Sequence, residues 1–393
     1  MFSTLTRRLV SITTSRCMSQ STVSGPVQAI VRQLADDPIT GINNLSLESM
    51  ERPDAATLPP GGVVVGVSHC AVHWVDCLMM AGQYQQAPPL PYTPGMEYSG
   101  TVLNVSGSGD TGGLQPGDKV YVADMINAGP RSYGPYQKYG GFATYTIAPS
   151  IAVRKVPEKL SMAEAATLNG AYETAYHALV HCARVTRGET ALIHGATGAT
   201  GLAAVQLCSA LGVNTVITGG SDDKLDVVQT QCLGDGKVIG RHNYRNESSS
   251  LVKDVKNATK SVDVVYDTVG GLDLARNSLK VMKFGGRYCI VGWTSTPFAG
   301  GGRGAGANHG SANTIPTNLI MMKGAKVLGC PVAIHTKLDP SIRKPRMEMI
   351  DNLVDTGLIK PHVSHEFSLS DVREALLAKW NRQIIGGCVV DCN

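Results

Sequence analysis

One segment restricts the fold of this chain more than any other: Ala191-Leu192-Ile193-His194-Gly195-Ala196-Thr197-Gly198-Ala199-Thr200-Gly201. An apolar run ends in a turn of small residues, and the turn opens onto a helical pattern from Leu202 to Leu211. A strand, a glycine turn and a helix start in that order cradle a dinucleotide pyrophosphate, because N–H groups at the helix N-terminus meet its charge. The contact positions are Ala196, Gly198, Ala199, Thr200 and Gly201, with Gly198 and Gly201 letting backbone approach the phosphates. Asn214-Thr-Val-Ile-Thr-Gly-Gly220 reads as a second strand, the context that a lone glycine motif lacks. These residues imply a nicotinamide nucleotide.

The end of that second strand bears on which nucleotide. NAD binders place an Asp or Glu there for the ribose 2′-hydroxyl. Here the turn is Thr218-Gly219-Gly220-Ser221-Asp222-Asp223-Lys224. Gly219 leaves room for a 2′-phosphate, and Ser221 and Lys224 can donate to it, so NADPH is expected. The two acids are accounted for by the dipole of the helix they open.

A chain of 393 residues suggests two domains. Hydrophobic content of 43% and charged content of 17% are globular values, and no apolar run reaches membrane-spanning length. A formal charge of +4 gives no case for nucleic acid as a partner. The N-terminus carries Arg7, Arg8 and Arg16 among hydroxyl residues, with no acid before Asp36. That is the composition of a transit peptide to the mitochondrial matrix, and residues 1–25 are set aside as one; a basic tail on a cytoplasmic protein is the alternative. The ten cysteines contain no C-x-x-C pair, so neither a metal nor a disulfide framework is expected from them.

From Gln28 to Ile151 the pattern is one of short strands and Gly/Pro turns. Gly62–Ser68 is β-rich but alternates poorly, and Tyr98–Val105 and the residues after Gln115-Pro-Gly117 also read as strands. From Glu173 onward strand and helix alternate. The expected strands are Ala191–Gly195, Thr215–Thr218, Lys237–Ile239, Val262–Asp267, Gly286–Gly292 and Lys326–Gly329. Such alternation argues a parallel sheet with right-handed crossovers. The tail gives a short helix, Ser370–Lys379, and a last strand, Gly387–Asp391.

Three motifs together resemble the medium-chain dehydrogenases/reductases, in their zinc-free quinone oxidoreductase (ζ-crystallin-like) branch: Pro88–Val102, the Gly198/Gly201 turn, and Val264-Val-Tyr-Asp-Thr-Val-Gly-Gly271. The resemblance runs from about residue 27 to the C-terminus. It implies an α/β fold: a doubly wound Rossmann sheet plus a β-rich GroES-like catalytic domain formed from both chain ends. The implied boundaries are 26–170 for the first part of the catalytic domain, 171–320 for the NADPH-binding domain, and 321–393 for the sheet edge strand and the return. Zinc enzymes of this superfamily show Gly-His-Glu where this chain has Gly95-Met96-Glu97, and methionine is a poor zinc ligand. Their cysteine ligand falls on His73, their third ligand falls near Gly170, and the structural zinc lobe, between Asp110 and Gln137, has no cysteine. No metal is expected.

Without a Lewis acid, hydride must go to an acceptor that is already electrophilic, a quinone or a conjugated enone or enal. The resemblance places His73, Asp76 and Tyr84 at the acceptor. Quinone reductases show asparagine where this chain has His73; the histidine either donates a proton or serves structurally. Asp76 orients its neighbours. The resemblance also implies cofactor contacts: Tyr244 on the adenine, Thr174 near the nicotinamide, Trp293 beside the cofactor, and Arg382 reaching it from the tail. Gly387 stands where the family more often has lysine. A Gly300–Gly310 insertion with Arg303 and His309 is either a lid or a flexible segment without a role.

Three functions stand: an NADPH-dependent quinone reductase, a reductase of 2-alkenals, enones or enoyl thioesters, and a non-enzymatic NADPH-binding protein. The basic Arg343-Lys-Pro-Arg346 is the one hint of a channel for a thioester. The Lys326–Gly329 edge predicts a homodimer.

Overall fold

The computed structural model describes residues 25–84, 86, 88–132, 134–294 and 314–393. The basic leader up to residue 24 and the Gly300–Gly310 segment, with Arg303 and His309, lie outside them.

The chain starts with a small antiparallel pair, β1 (Val27–Ile30) and β2 (Ser46–Ser49). Five strands follow: β3 (Gly62–Ala71), β4 (Tyr98–Val105), β5 (Lys119–Val122), β6 (Tyr145–Pro149) and β7 (Val153–Lys155). The valine run of β3 alternates poorly for a physical reason. Val63, Val65 and Val67 enter one apolar core, while Val64 enters a second one with Leu58, Tyr136 and Ile147. A strand covered on both faces has no polar side to show.

The nucleotide domain is a six-stranded parallel sheet of β8 (Thr190–His194), β9 (Asn214–Gly219), β10 (Val238–Asn243), β11 (Val262–Asp267), β12 (Met282–Ile290) and β13 (Lys326–Gly329). Its order, β10-β9-β8-β11-β12-β13, is that of a doubly wound dinucleotide-binding sheet. Ala191 and Ile193 of β8 face one core and Leu192 faces the other, so the strand's central residues are apolar on both faces. Several of the sequence boundaries move, and β12 starts at Met282, four residues before the expected Gly286. β10 continues through polar Gly240–Asn243 because its ladder to β9 runs on to the Asn243–Gly219 register. The helix after β8 starts at Ala199, so the glycine turn itself forms its first turn.

The tail leaves this sheet and returns. β14 (Val363–Ser368) and β15 (Gly387–Asp391) flank the helix Val372–Trp380, and β15 pairs antiparallel with β3. The first sheet thus has the order β14-β15-β3-β4-β5-β7, with β6 also on β3. Strands from both ends of the chain share it.

Candidate active site

Gly198 is the N-cap of the helix Ala199–Ala210 and offers no side chain to its first-turn N–H groups. Those groups are left for an anion. A Cβ on Gly201 would lie 2.2 Å from the Gly195 carbonyl oxygen and 2.8 Å from Ala196 Cα. Backbone meets backbone here, and only glycine fits. The tail crosses the same turn, where Gly386 N donates to the Thr197 carbonyl at 2.9 Å.

At the tip of β9 a Cβ on Gly220 would sit 2.5 Å from Tyr244 Oη, so the tyrosine ring lies close over the bare strand end. Tyr244 is 53% exposed. Ser221 caps the helix Asp222–Thr230. Lys224 Nζ donates to the carbonyls of Arg382 (2.8 Å) and Gln383 (2.6 Å), tying this helix to the tail. Burial, and then the charge of nearby Arg245, hold its ammonium below the ordinary value. Arg382 adopts a left-handed conformation (φ 59°), and its Nη2 lies 3.5 Å from the Thr294 carbonyl. Trp293 follows β12 and is partly exposed.

The other side of the cleft is built from buried side chains. His73 is the N-cap of the helix Trp74–Met80. Its backbone N–H donates to Asp76 Oδ2 at 2.9 Å, and Gly95 N–H donates to Asp76 Oδ1 at 3.2 Å. Asp76 is thereby a brace between two loops, and burial pushes its carboxyl above the usual range against the pull of His73. His73 Nε2 stands 2.9 Å from Glu97 Oε2, without the alignment of a hydrogen bond. The other carboxylate oxygen of Glu97 accepts from the backbone N–H groups of Asn169 (2.5 Å) and Gly170 (3.0 Å). Glu97 is fully buried. A Cβ on Gly170 would lie 3.1 Å from Glu97 Oε2 and 3.4 Å from His73 Cε1. Two of the positions that hold metal in the zinc enzymes, His73 and Gly170, thus meet at an imidazole–carboxylate pair beside a bare glycine.

Gly170 and Thr174 line the cleft with Met125, Arg131, Val332 and Arg343. Thr174 Oγ1 donates to the Gly170 carbonyl at 2.7 Å. Tyr84 reaches the cleft through Arg131, whose guanidinium carbon lies 5.6 Å from the tyrosine ring centroid. A larger cavity of 490 Å³, beside Lys360 and His365, shares no lining residue with the cleft.

The structure corrects one sequence expectation here. Arg343 and Arg346 do not form a basic channel. Arg346 is buried and its Nη2 lies 2.5 Å from Glu173 Oε2, while Arg343 pairs with Glu173 and Asp124 and donates to the Ala123 carbonyl. Their charges are neutralised within the protein.

A GroES-like alcohol dehydrogenase domain model matches residues 59–158, and a zinc-binding dehydrogenase model matches residues 199–342. Quinone oxidoreductase-like protein 2 of Mus musculus is 31% identical over 331 residues, covering 83% of this chain and 84% of that protein. The chain belongs to the zinc-free quinone oxidoreductase branch of the medium-chain dehydrogenases/reductases. Human quinone oxidoreductase is 28% identical over 313 residues, covering 80% of this chain and 83% of that one. A mycobacterial protein solved in complex with NADPH shares the fold at a TM-score of 0.71 and 20% identity, over 93% of this chain and 100% of that chain. The zinc-binding dehydrogenase match contains none of the positions 73, 96 and 170.

Sequence reasoning passed over Glu97, Arg131 and Arg245. Glu97 had a signal, since it directly follows the methionine that replaces a metal ligand. Arg131 is brought to Tyr84 only by the fold.

Proposed function

We propose that this chain is a zinc-independent oxidoreductase that uses NADPH to reduce a quinone. The observation that carries the reading is the His73–Glu97 pair seated against Gly170, where a metal-dependent relative needs three donor side chains. Such a pair handles a proton and leaves activation of the acceptor to the acceptor's own chemistry.

The turn at Gly198–Gly201 fits a nucleotide: its helix N-terminus is uncapped, and the space at Gly201 admits no added atom. NADPH supplies the hydride. Ala196, Gly198, Ala199, Thr200 and Gly201 hold the phosphates, Tyr244 covers the adenine, and Thr174 and Trp293 border the nicotinamide end. The glycine tip of β9, with Ser221, Lys224 and Arg245 around it, favours the 2′-phosphate of NADPH over NADH. His73, positioned by Glu97, holds the proton for the oxygen that gains charge. Tyr84 donates a hydrogen bond at the acceptor, and Asp76 keeps the His73 loop in place.

Assembly as a homodimer belongs to the same reading. β13 is the last strand of its sheet, and Phe284, Met321 and Met322 are exposed apolar residues on β12 and the helix Thr317–Lys323 next to it. Pairing with a second copy would cover that edge.

The experiment is NADPH oxidation by the protein with 1,4-benzoquinone, 9,10-phenanthrenequinone, a 2-alkenal and crotonyl-CoA, with NADH as control. Turnover with quinones and a preference for NADPH support the reading. A preference for the alkenal or the thioester moves the function to double-bond reduction, and binding without oxidation moves it to a non-enzymatic role.

A further inference from the structure

Three histidines outside the proposed reaction meet behind the cleft wall. The helix Asn169–Tyr176 continues into a π-helical turn, His177–Cys182, which carries His177 and His181. His335 comes from the helix Val332–Leu338. One coordinating nitrogen from each ring lies within 4.8 Å of the others. The ring centroids of His177 and His181 are 5.0 Å apart in a stack, and His335 meets both edge-on at 5.1 and 5.0 Å.

His177 is 1% exposed, and among the described residues neither of its ring nitrogens makes a well-aligned hydrogen bond, although the Cys182 thiol lies beside it. Buried polar atoms in folded proteins find partners, and one that lacks any calls for an ion or a water. Single-turn π-helices also concentrate at functional sites. His181 and His335 are half-buried, so the cluster opens to solvent on one side. The Asp339 carboxylate lies near enough to His335 and His181 to feel their charge, and Ser341 N–H and Oγ–H hold it. Two guanidinium groups, Arg346 and Arg184, act on His181, and Arg346 is paired with Glu173.

We propose that His177, His181 and His335 form a binding site for a divalent transition metal of the zinc class, with solvent in the fourth position. Three imidazoles are a sufficient donor set, at Zn–N distances of about 2.0–2.1 Å. Nitrogens around such an ion sit about 3.4 Å apart, so the rings must draw together by roughly 1 Å. This site is separate from the His73–Glu97 position. Its two helices also supply cleft residues, Asn169, Gly170 and Thr174 from one and Val332 and Thr336 from the other. A bound metal would fasten these two walls together from behind.

The test uses the full chain, stripped with chelator and dialysed. Zn²⁺ uptake is measured by competition with a chromophoric chelator, and Co²⁺ serves as a probe of coordination geometry. One equivalent of Zn²⁺ and the intense visible bands of four-coordinate Co²⁺ are expected. His181→Gln combined with His335→Gln, both half-buried positions, should weaken binding by more than the roughly 10- to 100-fold that loss of an outer-shell partner costs. His69→Gln, in a second group with Glu366 and Asp391, should leave it unchanged. Failure of the wild-type chain to take up Zn²⁺ overturns the proposal whatever the variants do. So does an undiminished affinity in the folded double variant.

Discussion

The two sides of the cleft are made of different material. At the glycine turn of the nucleotide side, the surface is main chain: a glycine N-cap, a helix end, and a position where a single added carbon would lie 2.2 Å from a carbonyl oxygen. On the acceptor side it is side chain: Glu97, buried, holding His73 and two backbone N–H groups, with Asp76 bracing the loop behind. A site made of backbone tolerates almost no change of shape but asks little of residue chemistry. A site made of side chains keeps its shape through substitution and changes its chemistry with one residue.

The comparison breaks most readily at Gly201. Gly201→Ala drives a Cβ into backbone, so a stability loss of about 3 kcal/mol is expected in chemical denaturation. Calorimetry should show nucleotide binding weakened by at least about tenfold; unchanged binding would show that the close approach does not matter.

The acceptor side is probed by Glu97→Gln, which keeps an acceptor for Asn169 and Gly170 but removes the charge facing His73. A fall in kcat of about 10²- to 10³-fold is expected, with little change in nucleotide affinity. His73→Asn should cost a similar factor, and the double variant little more, because the two act as a unit.

His194 sharpens the contrast through pH. It ends β8 directly before the glycine turn, buried, with its ring nitrogens 3.1 Å from Thr218 Oγ1 and 2.8 Å from Ser278 Oγ. Burial lowers its pKa from 6.5 to about 4. The unfolded chain therefore takes up the proton first. The stability due to the neutral ring is complete above pH 6.5 and is lost as pH falls toward 4, by roughly 3 kcal/mol. Thermal melts of His194→Gln should show a shallower dependence over that window than the wild type.

The smallest effect is expected at Tyr244. Tyr244→Ala removes the ring over Gly220 and should raise the KM for NADPH about threefold to tenfold while leaving kcat alone.

The same division explains what could be read from the sequence. The parallel sheet and its glycine turn were legible because apolar strands and small-residue turns are local patterns; β11 and β13 fall on the expected residues. β10 was read too short, since Gly240–Asn243 are held by a partner strand and not by their own composition. Glu97 lies between Met96 and Tyr98, and only the fold shows that it touches Asn169, Gly170 and His73. Arg343 and Arg346 suggested a basic channel because Glu173, which pairs with both, lies far away in sequence. The histidine cluster escaped for the same reason: His177 and His181 are one turn apart, but His335 comes from another helix.

The central claim, hydride delivery to an already electrophilic acceptor, is tested most directly by single-turnover oxidation of NADPH deuterated at the transferred position, mixed with enzyme and 9,10-phenanthrenequinone. The account predicts quinone-dependent decay of the reduced nucleotide that is slowed by deuterium and slowed further in Glu97→Gln. Absence of quinone-dependent decay, or decay indifferent to both the label and the substitution, would contradict it.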